Sequence, residues 1–351
     1  MAKATDGPPF VSVLIPMRNE ERYIEPCLRS LARQDYPRDR FEVLVMDGAS
    51  TDRSRELAEN VAQTESLPLR LIDNPGRTTA RGLNLGLREA RGDVIVRVDA
   101  HTAVAPDFLS ESVAALRESD ADGVGGPIES VGQGLVGGAI ALAMSSPFGV
   151  GNAHFRYSRE TLYTDTIAFP AYRRELFDEV GAFAEDIDYG EDDEFNYRLG
   201  DAGKKLLLTP RIRSTYFTRS SFAALFRQYL GYGRAKVEVL RRHPRRARLR
   251  QFVPAVFVAT LAALGALSLV CRVSRRALVV VALTYLAASL AFSVRIASRR
   301  GWRYLPLLPA AFACLHVGYG IGFLQSLARA ASPAGRARSL GGHRGPPLRE
   351  V

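Results

Sequence analysis

The sequence predicts an α/β domain followed by a C-terminal transmembrane helical region. In the first 120 residues, short β-branched runs alternate with longer helical patterns, as in a parallel sheet built from βα units. Beyond residue 250, three long segments contain no Asp, Glu, Lys or Arg, which is typical of membrane-spanning helices. We therefore expect a folded domain over residues 1–240, a membrane region of about three transmembrane helices over 241–330, and a flexible tail over 331–351.

The elements of the first domain are expected in a regular order. Apolar runs predict strands over Phe10–Ile15, Phe41–Met46, Leu69–Ile72, Asp93–Val98 and Gly123–Glu129. Helical patterns lie at Glu20–Arg33, Thr51–Gln63, Thr78–Ala90 and Pro106–Arg117. The uncharged, glycine-rich stretch Val131–Ala153 is open to three interpretations: a mobile flap, a surface that dips towards lipid, or a plain flexible loop.

The net charge of +10 is divided unevenly along the chain. From Arg241 onward there are 18 arginines, no lysine and one acid, which gives +17 and leaves −7 for residues 1–240. Arginine beside apolar segments indicates anionic lipid rather than nucleic acid. We therefore expect membrane lipid, and no nucleic acid, among the partners. No signal-peptide pattern precedes the first strand, so the first domain is expected in the cytoplasm.

The three uncharged segments are Gln251–Cys271, Ala277–Val294 and Tyr304–Ala328. A spanning helix needs about 20 apolar residues, so the first and third are long enough and the second is short. A buried hairpin of a soluble protein is the alternative. Arginines flank the segments on both sides, which leaves open whether one of them is re-entrant or interfacial.

Acids stand at the ends of two predicted strands. Asp47 opens the sequence Asp47-Gly48-Ala49-Ser50-Thr51-Asp52, and Asp99-Ala100-His101 follows the fourth strand. Ligands of open α/β sheets bind outside the carboxyl ends of the strands, so these acids predict a site. Asp99 and His101 can face one cation together with a diphosphate, and their oxygen and nitrogen ligands suit Mg²⁺ or Mn²⁺. A surface Asp–His pair without a metal is the alternative.

A second acidic motif is Glu191-Asp192-Asp193-Glu194. Four adjacent carboxylates repel one another, so at least one should have a raised pKa if it is buried, as a general base needs. The alternative is a solvated helix N-terminus, where acids interact favourably with the helix dipole.

Together these motifs resemble the inverting family 2 glycosyltransferases of the GT-A (nucleotide-diphospho-sugar transferase) fold over about residues 10–235. The matching motifs are Val13-Leu14-Ile15-Pro16 with Asn19-Glu20, Asp47 to Asp52, Asn74-Pro75-Gly76 through Asn84-Leu85-Gly86, Asp99-Ala100-His101 and Gly190 to Phe195. The triplet ending in His, Tyr172-Arg173-Arg174 and His316-Val317-Gly318-Tyr319-Gly320 resemble most the bacterial subgroup that builds succinoglycan-type exopolysaccharide.

The resemblance implies a role for each matching residue. Pro16 and Glu20 would line the nucleotide pocket, Asp47 would bind the base, Asp52 would organise that loop, Arg81 would contact the diphosphate or a loop, and Arg173 would bind substrate. Asp99 and His101 would hold the metal and the nucleotide, Asp192 would be the general base, and Glu191 would orient the acceptor. The family's usual metal triplet ends in Asp, so His101 leaves the choice between Mg and Mn open.

The implied function is transfer of a sugar from a nucleotide sugar, UDP-glucose or similar, to a hydroxyl of a polyprenyl-linked saccharide. Inversion, a divalent metal and a role in exopolysaccharide or cell-surface glycan synthesis are part of this expectation. The protein would be multi-pass in the cell membrane with its catalytic domain in the cytoplasm. A polyprenyl-phosphate sugar synthase and a membrane-anchored, non-catalytic nucleotide-sugar binder are the alternatives.

Overall fold

The computed structural model describes residues 7–151, 153–187 and 189–331, which form two compact units. Unit 1 contains the chain up to Glu129 together with His154–Phe217, and unit 2 contains Ser130–Ala153 and the chain from Thr218 onward. Two segments before the expected boundary at residue 240 group with the C-terminal helices, namely Ser130–Ala153 and residues 218–240. The two units therefore do not meet at the expected boundary. Of the expected tail over 331–351, all but residue 331 lies outside the described residues.

In the first 120 residues the described strands and helices alternate as the sequence predicts, except for one additional short strand over Thr102–Val104. The strands are β1 (Val11–Met17), β2 (Phe41–Asp47), β3 (Leu69–Asp73), β4 (Val94–Arg97), β5 (Thr102–Val104), β6 (Gly123–Gly126), β7 (Ile128–Val131), β8 (Leu162–Thr164), β9 (Ala168–Arg173), β10 (Leu206–Leu208) and β11 (Ser214–Phe217). The helices are α1 (Ile24–Ala32), α2 (Ser54–Thr64), α3 (Thr79–Glu89), α4 (Phe108–Glu118), α5 (Gly134–Met144), α6 (Pro147–Val150), α7 (Glu175–Val180), α8 (Glu191–Asp201), α9 (Phe222–Arg242), α10 (Val253–Leu267), α11 (Arg272–Arg300) and α12 (Leu308–Ala331).

Unit 1 is built on a mixed sheet with the strand order β3-β2-β1-β4-β9-β6-β10-β8. Its first four strands pair in parallel, which confirms the expected βα pattern of this part of the chain. β9 runs antiparallel to both β4 and β6. The single strand expected over Gly123–Glu129 is in fact two, β6 and β7, and β7 belongs to a second sheet of order β5-β11-β7.

Aromatic side chains pack α8 against β9 of the sheet. Phe195 of α8 stacks on Phe177 with ring centroids 5.3 Å apart, and it contacts Phe183 at 4.7 Å and Tyr172 of β9 at 5.5 Å. Phe195 and Phe177 are almost fully buried, and each such side chain contributes about 1.5–3 kcal/mol to folding. This cluster therefore holds the first turn of α8, with its acids, in a fixed position relative to β9.

In unit 2 the glycine-rich stretch is largely helical, forming α5 and α6, so the plain-loop interpretation is wrong. Phe148 of α6 stacks on Phe292 of α11 with centroids 4.7 Å apart. The Nε2 atom of His316 in α12 lies 2.8 Å from the carbonyl oxygen of Phe148, and its Nδ1 atom lies 3.0 Å from the Tyr285 hydroxyl. These contacts seat the stretch on the C-terminal helices of its own unit.

Among the described helices, α11 and α12 are long and apolar enough to cross a membrane, by length and composition. They have 29 and 24 residues, whereas α10 has only 15. A helix of that length extends about 22 Å, short of the roughly 30 Å hydrocarbon core. The expectation of a comfortably long first segment and a short second one is therefore wrong. The chain turns at Ser268–Val270, whereas α11 continues through its flanking arginines.

Candidate active site

The carboxyl ends of the parallel strands bring the nucleotide-pocket candidates together. Met17 pairs with Asp47, and Asp47 pairs with Asp73 on β3. Asp47 is buried, and its Oδ1 atom accepts a hydrogen bond of 3.2 Å from the Ser50 backbone. Pro16 lies one residue before the end of β1, opposite Met46. Pro16 and Asp47 thus lie one register position apart at the carboxyl ends of neighbouring strands.

The loops after β1 and β2 are tied together by short polar side chains. Asn19 has a positive φ of 55°, and its Oδ1 atom accepts a hydrogen bond of 2.8 Å from the backbone of Thr51. Asp52 accepts hydrogen bonds from the backbone N–H groups of Ser54 at 3.0 Å and Glu21 at 3.2 Å. Partial burial raises the pKa of Asp52, but these hydrogen bonds outweigh it and keep the pKa below its usual range. Asp52 therefore stays ionised and bridges the two loops.

Asp99 and His101, which follow β4, form a cluster with Glu20, which follows β1. The Glu20 Oε1 atom lies 3.1 Å from the Nδ1 atom of His101, and both side chains are mostly buried. Asp99 accepts a hydrogen bond of 3.2 Å from Nε of Arg97. Burial raises the pKa of Asp99, yet the charges of Arg97 and His101 outweigh it and hold the pKa below its usual range. The structure therefore brings Glu20, Asp99 and His101 to one place.

Arg97 joins the two acidic motifs, and the sequence analysis missed it. Its Nη2 atom lies 3.0 Å from Oε1 of Glu191, while its Nε binds Asp99. Burial lowers the pKa of Arg97, but the facing charges of Asp99, Glu191 and Asp192 raise it well above its usual value. One signal was available: Arg97 is a cation in an apolar strand two residues before Asp99, and such positions share a face.

Two of the four acids at the start of α8 pair with different arginines. Glu191 pairs with Arg97, and Glu194 forms a bidentate pair with Arg198 at 2.8–3.0 Å. Arg198 also donates to the carbonyl oxygens of Val180 and Ala182, at 2.7 Å each. Glu194 is thus a structural residue of unit 1.

The side chain of Asp192 is exposed to solvent, although protein atoms surround its carboxyl group closely enough to desolvate it in part. The desolvation by this surround, with the charges of Glu191 and Asp193, raises the pKa of Asp192 to about 7 although Arg97 opposes the shift. Its Oδ1 atom accepts a hydrogen bond of 2.8 Å from the backbone of Asp193. A solvent-open carboxylate with a pKa near neutrality has the chemistry of a general base.

Two candidates lie apart from this cluster. The Nε atom of Arg81 is 3.7 Å from Oε2 of Glu185, in the loop before α8, so its observed partner is a loop. Arg173 pairs with Val94 at the start of β4 and donates to the carbonyl oxygen of Leu116. Asp99 follows the carboxyl end of β4, whereas Arg173 lies beside the amino end of the same strand. The structure therefore places Arg173 at the opposite end of the strands from the acidic cluster.

No group of three or more His, Cys, Asp or Glu side chains in the described parts of the chain meets in a way that could hold a metal ion. Asp99 and His101 would therefore provide only part of the ligands of a divalent cation, with water and substrate phosphates as the others.

Comparison with known proteins identifies the family. The family model "Glycosyl transferase family 2" matches residues 12–181. The succinoglycan biosynthesis protein ExoA of Rhizobium meliloti is 32% identical over 317 residues, which are 90% of this chain and 94% of that protein. The chain belongs to glycosyl transferase family 2. It is therefore a glycosyltransferase, and the matched region contains the strand-end acids and the Asp99 triplet.

Two further relatives agree with this assignment. The glycosyltransferase is 31% identical over 240 residues to the dolichyl N-acetyl-alpha-D-glucosaminyl phosphate 3-beta-D-2,3-diacetamido-2,3-dideoxy-beta-D-glucuronosyltransferase of Methanococcus voltae, covering 66% of this chain and 74% of that enzyme. The structure of the mannosyltransferase PcManGT from Pyrobaculum calidifontis, in complex with GDP-Man and Mn²⁺, matches with a TM-score of 0.56 and 23% identity, over 90% and 88% of the two chains. The second likeness confirms the GT-A fold.

Proposed function

We propose that this glycosyltransferase transfers a sugar from a nucleotide sugar, UDP-glucose or similar, to a hydroxyl of a lipid-linked saccharide, with inversion, in exopolysaccharide or cell-surface glycan synthesis. The observation that carries the proposal is Asp192, a solvent-open carboxylate whose pKa is raised to about 7. A base of this kind is needed to activate a hydroxyl acceptor at neutral pH. A phosphate acceptor, as in a polyprenyl-phosphate sugar synthase, is already ionised and needs no such base.

The proposed reaction is one in-line displacement. The Asp192 carboxylate takes the proton of the acceptor hydroxyl, and the oxygen forms a bond to the anomeric carbon of an α-linked donor. The bond from that carbon to the diphosphate oxygen breaks, and its electron pair leaves with the nucleoside diphosphate. The product carries a β linkage. Glu191, fixed 3.0 Å from Arg97, orients the acceptor beside the base.

On the donor side, we assign the nucleotide to the edge of the sheet that carries Pro16, Glu20 and Asp47, with the Asp52 loop behind it. Asp99 and His101 would hold a divalent cation, Mg²⁺ or Mn²⁺, together with the diphosphate; when bound, the cation would neutralise charge on the leaving group. Full activity in excess chelator would remove the cation from the reaction. Arg81 remains a candidate for the diphosphate, whereas Arg173 is left out because of its place in the sheet.

On the acceptor side, the proposal rests on the relatives and on the C-terminal helices. The name of the Methanococcus enzyme describes a dolichyl-linked acceptor, and that of the Rhizobium protein describes polysaccharide synthesis. Helices α11 and α12 would anchor this chain as a multi-pass protein of the cell membrane, with the catalytic unit in the cytoplasm, beside a polyprenyl-linked saccharide. Such anchoring would favour transfer by proximity.

The test is release of nucleoside diphosphate by membranes that contain the full chain, with a panel of UDP- and GDP-sugars and a polyprenyl-linked saccharide extract. Asp192→Asn should lower transfer by at least about 10²-fold, the lower range of general-base effects. Asp193→Asn is the matched control, because it changes the adjacent acid. This variant should retain most of the activity.

Three outcomes would contradict the proposal. Unchanged turnover of Asp192→Asn would remove this residue from the mechanism. Turnover with polyprenyl phosphate alone, insensitive to Asp192→Asn, would indicate a polyprenyl-phosphate sugar synthase. Nucleotide-sugar binding without turnover for every donor in the panel would indicate a non-catalytic binder.

A further inference from the structure

One arginine of unit 1 contains a buried nitrogen atom without a hydrogen-bond partner. Nη1 of Arg156 is inaccessible to solvent, and no hydrogen-bond acceptor lies within reach of it in the described part of the protein. Buried N–H donors are nearly always paired, because an unpaired donor loses its hydrogen bonds to water without replacement. The unpaired nitrogen therefore requires an explanation.

Three other arginines of unit 1 face carboxylates. Arg97 pairs with Glu191 at 3.0 Å, Arg198 with Glu194 at 2.8 Å, and Arg81 with Glu185 at 3.7 Å. The guanidinium of Arg156 instead lies over two aromatic rings, 5.3 Å from the ring centroid of Phe155 and 5.6 Å from that of Tyr216. Stacking on rings holds a guanidinium in place while leaving its N–H groups available in the ring plane.

Tyr216 connects Arg156 to the strand-end cluster. Its ring makes an edge contact with His101, with centroids 5.1 Å apart, and the next residue, Phe217, donates a backbone hydrogen bond of 3.2 Å to the carbonyl oxygen of His101. His101 in turn lies 3.1 Å from Glu20. Arg156 is thus separated by one side chain from the residues assigned above to the donor diphosphate.

We propose that Arg156 binds the diphosphate of the nucleotide-sugar donor, with Tyr216 as the residue that positions it. The inference rests on the proposed function and adds an anion-binding residue on the far side of Tyr216 from His101. When the donor binds, the Arg156 side chain moves so that Nη1, which is buried here, donates a hydrogen bond to an oxygen of the diphosphate. The positive charge also stabilises the nucleoside diphosphate as it leaves, since charge-assisted bonds from arginine are among the strongest that phosphates accept.

The test compares nucleoside diphosphates with nucleosides in the full-length protein in detergent. Arg156→Met should weaken UDP or GDP, whichever binds the wild type, by about 10- to 100-fold by calorimetry, the range expected for a hydrogen bond to a charged group. Binding of uridine or guanosine, followed by ligand-observed NMR, should not change. Arg156→Lys keeps the charge and should lose less. Arg159→Met, which changes an exposed arginine three residues away, is the matched control and should bind as the wild type does.

The other possible results would contradict the inference, and they can be distinguished from one another. Equal weakening of diphosphate and nucleoside, with a lower unfolding temperature, would show that Arg156 supports the fold only. Weaker binding of farnesyl diphosphate with unchanged UDP and GDP would assign Arg156 to the lipid carrier instead of the donor. Wild-type binding of UDP or GDP by Arg156→Met overturns the inference alone, whereas failure of the wild type to bind either nucleotide overturns the proposed function with it.

Discussion

At the scale of single residues, three of the four adjacent acids of α8 have different surroundings. Glu194 is paired with Arg198, Glu191 is paired with Arg97, and Asp192 is left open to solvent with a raised pKa. The acidic motif alone does not choose the base among its four carboxylates, whereas the family resemblance assigns that role to Asp192. The folded chain adds which of these carboxylates pair with an arginine.

Asp192 should give transfer a characteristic pH dependence. The base acts only when it is ionised, and its pKa is about 7, so kcat/KM for the acceptor should rise through that pH and level off above it. Below pH 7 the rate should fall about tenfold per pH unit, as for loss of one essential base. A profile measured from pH 5 to 9 with a saturating donor checks this. A rate that stays flat down to pH 5 would contradict the assignment.

Arg97 should affect both stability and this profile. Arg97→Met leaves Asp99 and Glu191 without their cation in a mostly buried site, which typically costs about 3–5 kcal/mol of unfolding free energy. The profile should also shift to higher pH, because Arg97 lowers the pKa of Asp192. Chemical denaturation and the pH–rate profile measure the two effects.

The control for Arg97 is Arg53→Met, which breaks an exposed pair with Glu56 and should leave the unfolding free energy nearly unchanged. Arg97→Lys keeps the charge and provides a variant that folds if the methionine variant does not. The prediction would be contradicted if Arg97→Lys had the pH–rate profile of the wild type and Arg97→Met had unchanged stability. The Arg97 contacts would then contribute neither to stability nor to the pKa of Asp192.

At the scale of secondary-structure elements, glycines set the packing of α9 on α12 in unit 2. A Cβ atom at Gly322 would lie 2.0 Å from the Leu230 carbonyl oxygen, and one at Gly233 would lie 2.1 Å from that of Tyr319. Gly318 and Gly322 are four residues apart on one face of α12, a spacing that lets helix backbones approach closely. The pair therefore depends on small residues at these positions.

Gly322→Ala should lower the unfolding temperature of the detergent-solubilised protein, because the new methyl group clashes with α9. Gly265→Ala in α10 is the matched control, since a Cβ atom there meets nothing within 4 Å. Alanine favours a helix over glycine by about 1 kcal/mol, so the control should be neutral or slightly stabilising. Similar unfolding temperatures for the two variants would show that the close approach does not matter.

At the scale of the whole molecule, the charge pattern has a structural counterpart. The positive charge beyond Arg241 flanks α11, which has Arg272, Arg275 and Arg276 at one end and Arg295, Arg299 and Arg300 at the other. A spanning α11 must therefore place three arginines on each side of the bilayer. Charge alone cannot orient this helix, because the positive-inside rule compares two ends that here carry equal charge.

Cysteine labelling should show whether α11 spans the membrane. In a background that lacks Cys27, Cys271 and Cys314, single cysteines at Arg276 and Arg299 would be treated with a membrane-impermeant maleimide in intact cells and after permeabilisation. If α11 spans, one position should react in intact cells and the other only after permeabilisation. Equal labelling of both positions in intact cells would indicate a helix that lies along the surface.

The sequence by itself determined the local features of this protein. Alternating apolar runs located β1 to β4 and the helices between them, because the periodicity of a strand or a helix can be recognised from residues close together in the sequence. The strand-end acids and their order along the chain were sufficient to indicate the family, which the relatives confirm. The uncharged segments located α10, α11 and α12, because charged residues are excluded from the central apolar part of such helices.

Only the tertiary structure decided the features that depend on residues distant in the chain. It placed Arg173 at the opposite end of the strands from Asp99, since β9 runs antiparallel to β4. It paired Arg97 with Glu191 and left Nη1 of Arg156 without a hydrogen-bond partner in the part of the chain that is described. It also ended α10 after 15 residues. The physical reason is the same in each case: burial, ion pairing and the point at which a helix stops are fixed by packing partners that local periodicity does not encode.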